Sequence, residues 1–428
     1  MSFPLLDRVV NARRVWVTRV AAAGSAALLL GVAPSQASAQ ITFTFDKRPS
    51  LEVHDLLTAD LRVKSQSDFR DFPEEPGRDD KALFDQHRAR VGVEGRFLKR
   101  FDYQVERELR DTSRPWRDVY LNARVLHDLD VRAGKFKIPF GLDQLTGSMD
   151  LDFNYRSLAG SFLSPGRDLG LMAHGRLLHD IVRYQTGVFR SGGDNVSASE
   201  RTDPQTRRTY AGRLVVRPWD GSKGHKLLRS MAAGMAYTNG DLPEGRNSLR
   251  GKTVPGDPFF DPLYVNGRRQ RIGAEFQWRP SSVGLQGELI RTRDERIRQG
   301  MEDETLPDAL ARGWYVSGTW LITGERKKDS IEPARPLFRG GIGAVEIAGR
   351  VERLHSSSDG AAGSFTTPRS PLIAPRTDEV WTAGVNWYLN DYFKVQANLI
   401  REQRASNGQP IAGLEYFWSR TLRLQFGL

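Results

Sequence analysis

The sequence predicts an all-β fold: a transmembrane antiparallel β-barrel of about sixteen strands over residues 40–428. Three observations predict it. The chain opens with an export segment. Period-2 alternation dominates the remainder of the chain. The polar side of that alternation is densely ionic, which suits a wall between lipid and water and not a dry core.

The export segment has three parts in order. Arg8, Arg13, Arg14 and Arg19 make a positive n-region, residues 20–32 are an apolar and small-residue run around Leu28, Leu29 and Leu30, and Ala37-Ser38-Ala39 is an A-x-A cleavage site before Gln40. A membrane anchor is the alternative, but the run is short for a span. Residues 1–39 are therefore expected to be a cleaved signal peptide, with a periplasmic, outer-membrane or secreted product. No later stretch approaches the roughly 20 apolar residues of a membrane helix. Mean hydropathy is −0.50, a value open to a barrel because only alternate residues meet lipid.

The first strand covers 51–63, where Leu51, Val53, Leu57, Ala59, Leu61 and Val63 oppose Glu52, His54, Thr58, Asp60 and Arg62, with Asp55 out of phase. Over 88–97, Ala89, Val91, Val93, Gly95 and Phe97 oppose Arg88, Arg90, Gly92, Glu94 and Arg96. The third strand sets Phe101, Tyr103, Val105 and Leu109 against Asp102, Gln104, Glu106, Glu108 and Arg110. The fourth sets Val119, Leu121, Ala123 and Val125 against Asp118, Tyr120, Asn122 and Arg124. Further strands fall near 129–138, 169–178, 181–190, 209–218, 228–238, 269–279, 283–293, 312–322, 340–354, 378–389, 392–402 and 416–428.

Connections alternate in length, as short periplasmic turns and longer outer loops do. Residues 98–100, 127–128, 179–180, 279–282 and 390–391 are tight, whereas 65–83, 139–168, 191–208, 239–268, 294–311, 355–377 and 403–413 are long and polar. Two connections, 219–227 and 323–339, fall on the periplasmic side yet are not tight. Trp278, Trp314, Trp320, Trp381, Trp387, Tyr388, Tyr392, Phe417 and Trp418 stand near strand ends, as interfacial girdles would. Core aromatics of a soluble sheet are the alternative. The last strand alternates to its end at Leu428, where the barrel-assembly signal usually has Phe.

At 130–142 the run Asp-Val-Arg-Ala-Gly-Lys-Phe-Lys-Ile-Pro-Phe-Gly-Leu resembles a segment of the phosphate-selective porins O and P. Leu145-Thr146, residues 150–153, Arg156-Ser157-Leu158, residues 165–170 and residues 174–177 continue the likeness. Residues 313–325 and 384–390 are similar to that family's later strands. The resemblance implies a porin-like barrel, a homotrimer with a channel in each subunit, and passage of small anions, with phosphate or polyphosphate as candidate solutes. It also implies an outer-membrane location among lipid and lipopolysaccharide, reached through the barrel-assembly machinery. The family's lysine cluster finds no aligned counterpart here.

The formal charge is +11; without the four Arg and one Asp of residues 1–39 it is 59 − 51 = +8. Such a balance suits an anionic partner, whether nucleic acid, a membrane surface or a small anion; the basic residues are spread along the chain, which argues against a dedicated nucleic-acid stripe. Arginine suits oxyanions, being always charged, planar and able to bond two oxygens. Candidate pore-lining residues are Arg88, Arg90, Arg96, Arg124, Arg132 and Arg176, with Arg213, Arg269, Arg271 and Arg350 in the same phase on later strands. The third long connection, 139–168, is expected to fold inward and narrow the pore; an ordinary outer loop is the alternative. Arg156 and Arg167 are its constriction candidates, with Lys135 and Lys137 beneath them and Gly134 as a candidate bulge. A wall of mutually paired charges without selectivity is the alternative, as in a general porin.

Other chemistries find little support. There is no cysteine, and the seven histidines lack metal-ligand spacing. Residues 245–253 have one residue too many between their glycines for a P-loop, and no nucleophile elbow occurs. No metal, cofactor or catalytic group is expected. An outer-membrane enzyme or plugged structural barrel remains the rival from another class.

Overall fold

Sixteen antiparallel strands close into one ring in this computed structural model. It describes residues 16–18 and 41–428 apart from 55, 72–81, 192–195, 199–206, 220–226, 248–253, 255–259, 261–262, 359–367, 372 and 411–416. The expected signal segment lies outside the described residues except for Trp16–Thr18, a short strand beside Ile41–Asp46. The barrel strands are β1 (Leu57–Asp71), β2 (Ala82–Phe97), β3 (Phe101–Glu108), β4 (Trp116–Leu126), β5 (Leu129–Lys137), β6 (Arg167–Leu177), β7 (Val182–Arg190) and β8 (Arg208–Val216). They continue as β9 (Ala232–Asn247), β10 (Tyr264–Trp278), β11 (Val283–Arg296), β12 (Leu306–Leu321), β13 (Ala344–Ser358), β14 (Arg376–Tyr388), β15 (Phe393–Ser406) and β16 (Phe417–Gly427). β16 pairs with β1, Gly427 opposite Lys64 and Arg420 opposite Asp71. Closure matters in lipid, where an open edge would strand N–H and C=O groups away from water.

The burial pattern is the reverse of a soluble protein's. On β14, Asp378, Thr382 and Asn386 are buried while Trp381, Val385 and Trp387 are exposed. On β16, Ser419, Arg423 and Gln425 are buried while Trp418, Leu422 and Leu424 are exposed. Period 2 sends the ionic row inward and the apolar row outward, so the exterior is the hydrophobic surface. Trp314 and Trp320 on β12, and Trp381 and Trp387 on β14, are exposed on that exterior. Each pair is six residues apart, about 20 Å along a strand at roughly 3.3 Å per residue. They mark two girdles with an apolar band between them.

That geometry sets a stability test. Val385 lies on the outer face between the girdles. Val385→Arg is expected to cost about 2–4 kcal/mol in refolding into vesicles, against about 0–1 kcal/mol for Arg at the interface. Equal effects at both depths would contradict a lipid-facing band.

Apart from the first, the expected strands are present with shifted ends. Residues 51–63 are not one strand. Ile41–Asp46 and Arg48–Val53 form a hairpin, the chain turns, and β1 begins at Leu57 beside that hairpin's second strand. β9 continues to Asn247, β10 begins at Tyr264 and β12 begins at Leu306, all further outward than alternation indicates. Beyond the bilayer both faces of a strand meet water, so the apolar period fades while the ladder continues.

Candidate functional site

β5 and β6 are joined by residues 138–166, all of them described. This segment is held chiefly by side chains on the inner face of the wall. Gly141, at φ 79°, turns the chain into the one-turn helix Leu142–Leu145. The backbone N–H groups of Leu142 and Asp143 donate to Glu288 on β11 at 3.0 and 3.2 Å. Leu158 N–H donates to Glu352 on β13 at 2.5 Å, and Asn154 N–H to Asn398 on β15 at 2.8 Å. Lys394 donates to the Leu151 carbonyl at 2.7 Å, and Gln425 to that of Met149 at 2.8 Å. Phe140, Leu158, Ala159 and Leu163 pack with Ala236, Ile290, Ala311, Leu354, Val380 and Ile400. The later strands thus spend inner-face carboxylates and apolar side chains on this segment.

Opposite, the segment and strands β1 to β7 enclose a cavity of about 350 Å³. Its ionic lining is Arg62, Lys64, Arg88, Arg90, Arg132, Lys137, Arg156 and Arg167, with Asp118 as its carboxylate. Four of these cations have carboxylate partners. Arg167 bonds Asp118 at 2.7 Å, Lys64 bonds Glu106 at 2.5 Å, Arg90 bonds Glu108 at 2.8 Å and Glu106 at 3.2 Å, and Arg62 bonds Glu94. The other four make no ion pair among the described residues. Arg88 donates to Gln66. Lys137 donates to the carbonyls of Gln144, Leu145 and Thr146 at 2.7, 3.2 and 3.0 Å. Arg132 lies over the rings of Tyr120 and Phe136, at 4.3 and 5.6 Å. Arg156 donates one Nη to the Thr146 carbonyl at 2.7 Å, and its other Nη is buried without a hydrogen-bond partner. Eight cations therefore face four carboxylates, a surplus of four positive charges. Burial pushes the Arg156 guanidinium below its usual range; Asp143 opposes this, and Arg167 and Arg90 add to it.

Six of the ten nominated residues meet here: Arg88, Arg90, Arg132, Lys137, Arg156 and Arg167. Four do not. Arg96 and Arg124 bond Asp102 at 2.9 and 3.0 Å near the periplasmic ends of β2 to β4. Arg176 is exposed and 3.5 Å from Asp180; with Arg124 it lines a wider mouth of about 1190 Å³. Lys135 stands in register with Val119 and Leu169 on the outward row. Gly134 has φ 130°, and a Cβ there would collide with the Val119 carbonyl and Tyr120. Arg62 and Lys64 line the cavity beyond those expected. Arg62 was visible on the polar face of the first strand, and Lys64 continues its phase one residue past the point where alternation stops.

The later-strand arginines are placed differently. Arg213 bonds Glu275, Arg269 bonds Asp294 at 2.5 Å, and Arg350 bonds Glu352 at 3.0 Å. Arg271 is buried. Among the described residues, the four cavity cations without an ion pair therefore sit on β2, β5 and the 138–166 segment.

Comparisons with known proteins agree with this architecture. The model of the family "Phosphate-selective porin O and P" matches residues 59–428. Porin O of Pseudomonas aeruginosa is 23% identical, over 84% of each chain. The channel DcaP of Acinetobacter baumannii superposes with a TM-score of 0.55 at 8% identity, covering 88% of this chain and 99% of that one. OmpT of Vibrio cholerae, in its trimer form, superposes with a TM-score of 0.53 at 9% identity, covering 87% of this chain and all of that one.

Proposed function

The chain belongs to the phosphate-selective porin O and P family of outer-membrane β-barrel porins, and from that premise we propose that it is a passive, anion-preferring channel. Residues 139–168 are its constriction loop, folded into the lumen, and the eight-cation cavity is its selective passage. One observation carries the reading: Arg88, Arg132, Lys137 and Arg156 line that cavity without carboxylate partners among the described residues. A passing anion replaces water around guanidinium donors that protein acceptors leave free. Oxyanions, phosphate foremost, gain most, because a planar fork meets two oxygens together.

The two walls divide the work. Backbone N–H groups of the loop occupy Glu288 and Glu352 on the far side. Those carboxylates then contribute little negative potential to the opening, and the basic side dominates the field an ion meets. The same division separates this reading from a general porin, whose wall charges would balance across the opening. Like the OmpT neighbour solved as a trimer, the chain assembles as a homotrimer in this reading. Its role is transport rather than catalysis, in keeping with family membership across 59–428.

Planar-bilayer recording tests it. In a KCl gradient the reversal potential is expected to report chloride passing in preference to potassium, and millimolar phosphate is expected to reduce chloride current by occupying the cavity. A reversal potential at zero or of cationic sign would reject anion preference. Absence of any conductance would leave a plugged structural barrel.

A further inference from the structure

On the exterior of β9 to β13 a cleft of about 560 Å³ lies beyond the outer girdle, lined in part by Tyr237, Ile272, Arg291, Leu310, Arg312 and His355. Arg291 stands directly opposite Arg312 across β11 and β12, and Arg312 directly opposite His355 across β12 and β13. Directly opposed side chains have Cβ atoms roughly 4.5–5.5 Å apart, and like charges so placed repel. Neither Arg291 nor Arg312 has a carboxylate partner among the described residues. Neighbouring arginines differ: Arg293 bonds Asp308 at 2.6 Å, and Arg353 faces Glu379 across β13 and β14. An opposed arginine pair without an internal anion calls for an external one.

Position says which. Arg312 lies two residues beyond Trp314 on the outward row of β12, and Arg291 two beyond Leu289 on that of β11. This is headgroup depth, at the barrel end carrying the long connections, which faces the outer leaflet. Below it, Leu289, Trp314 and Val316 are exposed on the same face. Phosphate above and acyl chains below describe a phosphorylated lipid standing against the wall. We propose that this cleft binds the phosphorylated glycolipid of the outer leaflet, lipopolysaccharide, through Arg291 and Arg312. The outer leaflet supplies that lipid, and its paired phosphates match two adjacent guanidiniums. The site is on the exterior, so it stands whether or not the lumen prefers anions.

The test uses the full mature chain in detergent, with native mass spectrometry and thermal unfolding read against three probes: bis-phosphorylated lipid A, dephosphorylated lipid A and phosphatidylglycerol. Bis-phosphorylated lipid A is expected to bind and raise Tm, and Arg291→Gln/Arg312→Gln to weaken it roughly tenfold or more. The single variant Arg312→Gln should give part of that loss. Both variants are expected to keep the wild-type reversal potential, which separates this result from the channel reading. Equal binding by wild type and variants would overturn the proposal. So would equal binding of the dephosphorylated lipid, or of phosphatidylglycerol.

Discussion

Replacing Arg156 by alanine is expected to cut the chloride-to-potassium permeability ratio about fivefold at low salt. One unit charge about 4 Å from an ion is worth about 1 kcal/mol even at the dielectric of water, and about 1 kcal/mol is about fivefold in a ratio. Neutralising Arg88, Arg132, Lys137 and Arg156 together removes the whole surplus of four charges and should abolish anion preference. Because salt screens exposed charge within about 3 Å at 1 M, the single-variant effect should shrink steeply from 0.05 M to 1 M KCl. A loss independent of salt would point to altered pore shape instead. The pair Arg167–Asp118 supplies an internal control. Arg167→Ala removes one positive charge and should lower anion preference, Asp118→Ala should raise it, and the double variant should return near wild type. A double variant no better than Arg167→Ala would show that Arg167 acts through its own hydrogen bonds and not through the charge count.

The wall was legible in the sequence because lipid and water impose opposite demands on alternate residues. That demand ends where the bilayer ends. The outward extensions of β9, β10 and β12 therefore carry no apolar row, and Lys64 fell outside the reach of alternation although its phase is that of Arg62. Pairing was not legible at all. Arg269 and Arg271 share one phase with Arg88 and Arg90, yet Arg269 is matched to Asp294 on the next strand. Strand register decides that match, and register between neighbours depends on turns and bulges such as the shift between Asn266 and Arg269. Composition could indicate a basic channel; the meeting of Arg88, Arg132, Lys137 and Arg156 in one cavity required the fold.

The long periplasmic connection that sequence alternation left unexplained, between β12 and β13, carries the second large expected effect. Lys327 in this connection is buried and bonds Asp152 of the 138–166 segment and Glu346 of β13, each at 2.5 Å. Asn386 and Tyr388 complete the Glu346 shell at 2.9 Å each. Ile331 anchors the connection against Leu321, Ala344 and Tyr388. The connection thus acts as a strap that pins the 138–166 segment from below. Lys327→Met would remove the ammonium that bonds both Asp152 and Glu346 and leave these buried carboxylates only the field of Lys394 and more distant cations, a loss of about 3–5 kcal/mol for breaking a buried pair. Noisier, larger conductance steps and faster amide exchange over 142–158 are the expected readouts. Lys327→Met/Asp152→Asn/Glu346→Gln, which removes the charges together, should recover much of the stability. Burial acts to raise the Asp152 pKa, but Lys327 beside it holds it below 3.8. Burial acts to lower that of Lys327, but Asp152 and Glu346 hold it above 10.5. The carboxylate's contribution is therefore present above 3.8 and lost as pH falls through its depressed value. The ammonium's contribution is present below 10.5 and lost as pH rises through its raised value. Quiet single-channel currents are expected across the neutral range, with the wild type acquiring the noise of Lys327→Met only toward either extreme. Equal noise in wild type and variant at pH 7 would mean that the loop is held by its contacts to β11, β13, β15 and β16 without the strap.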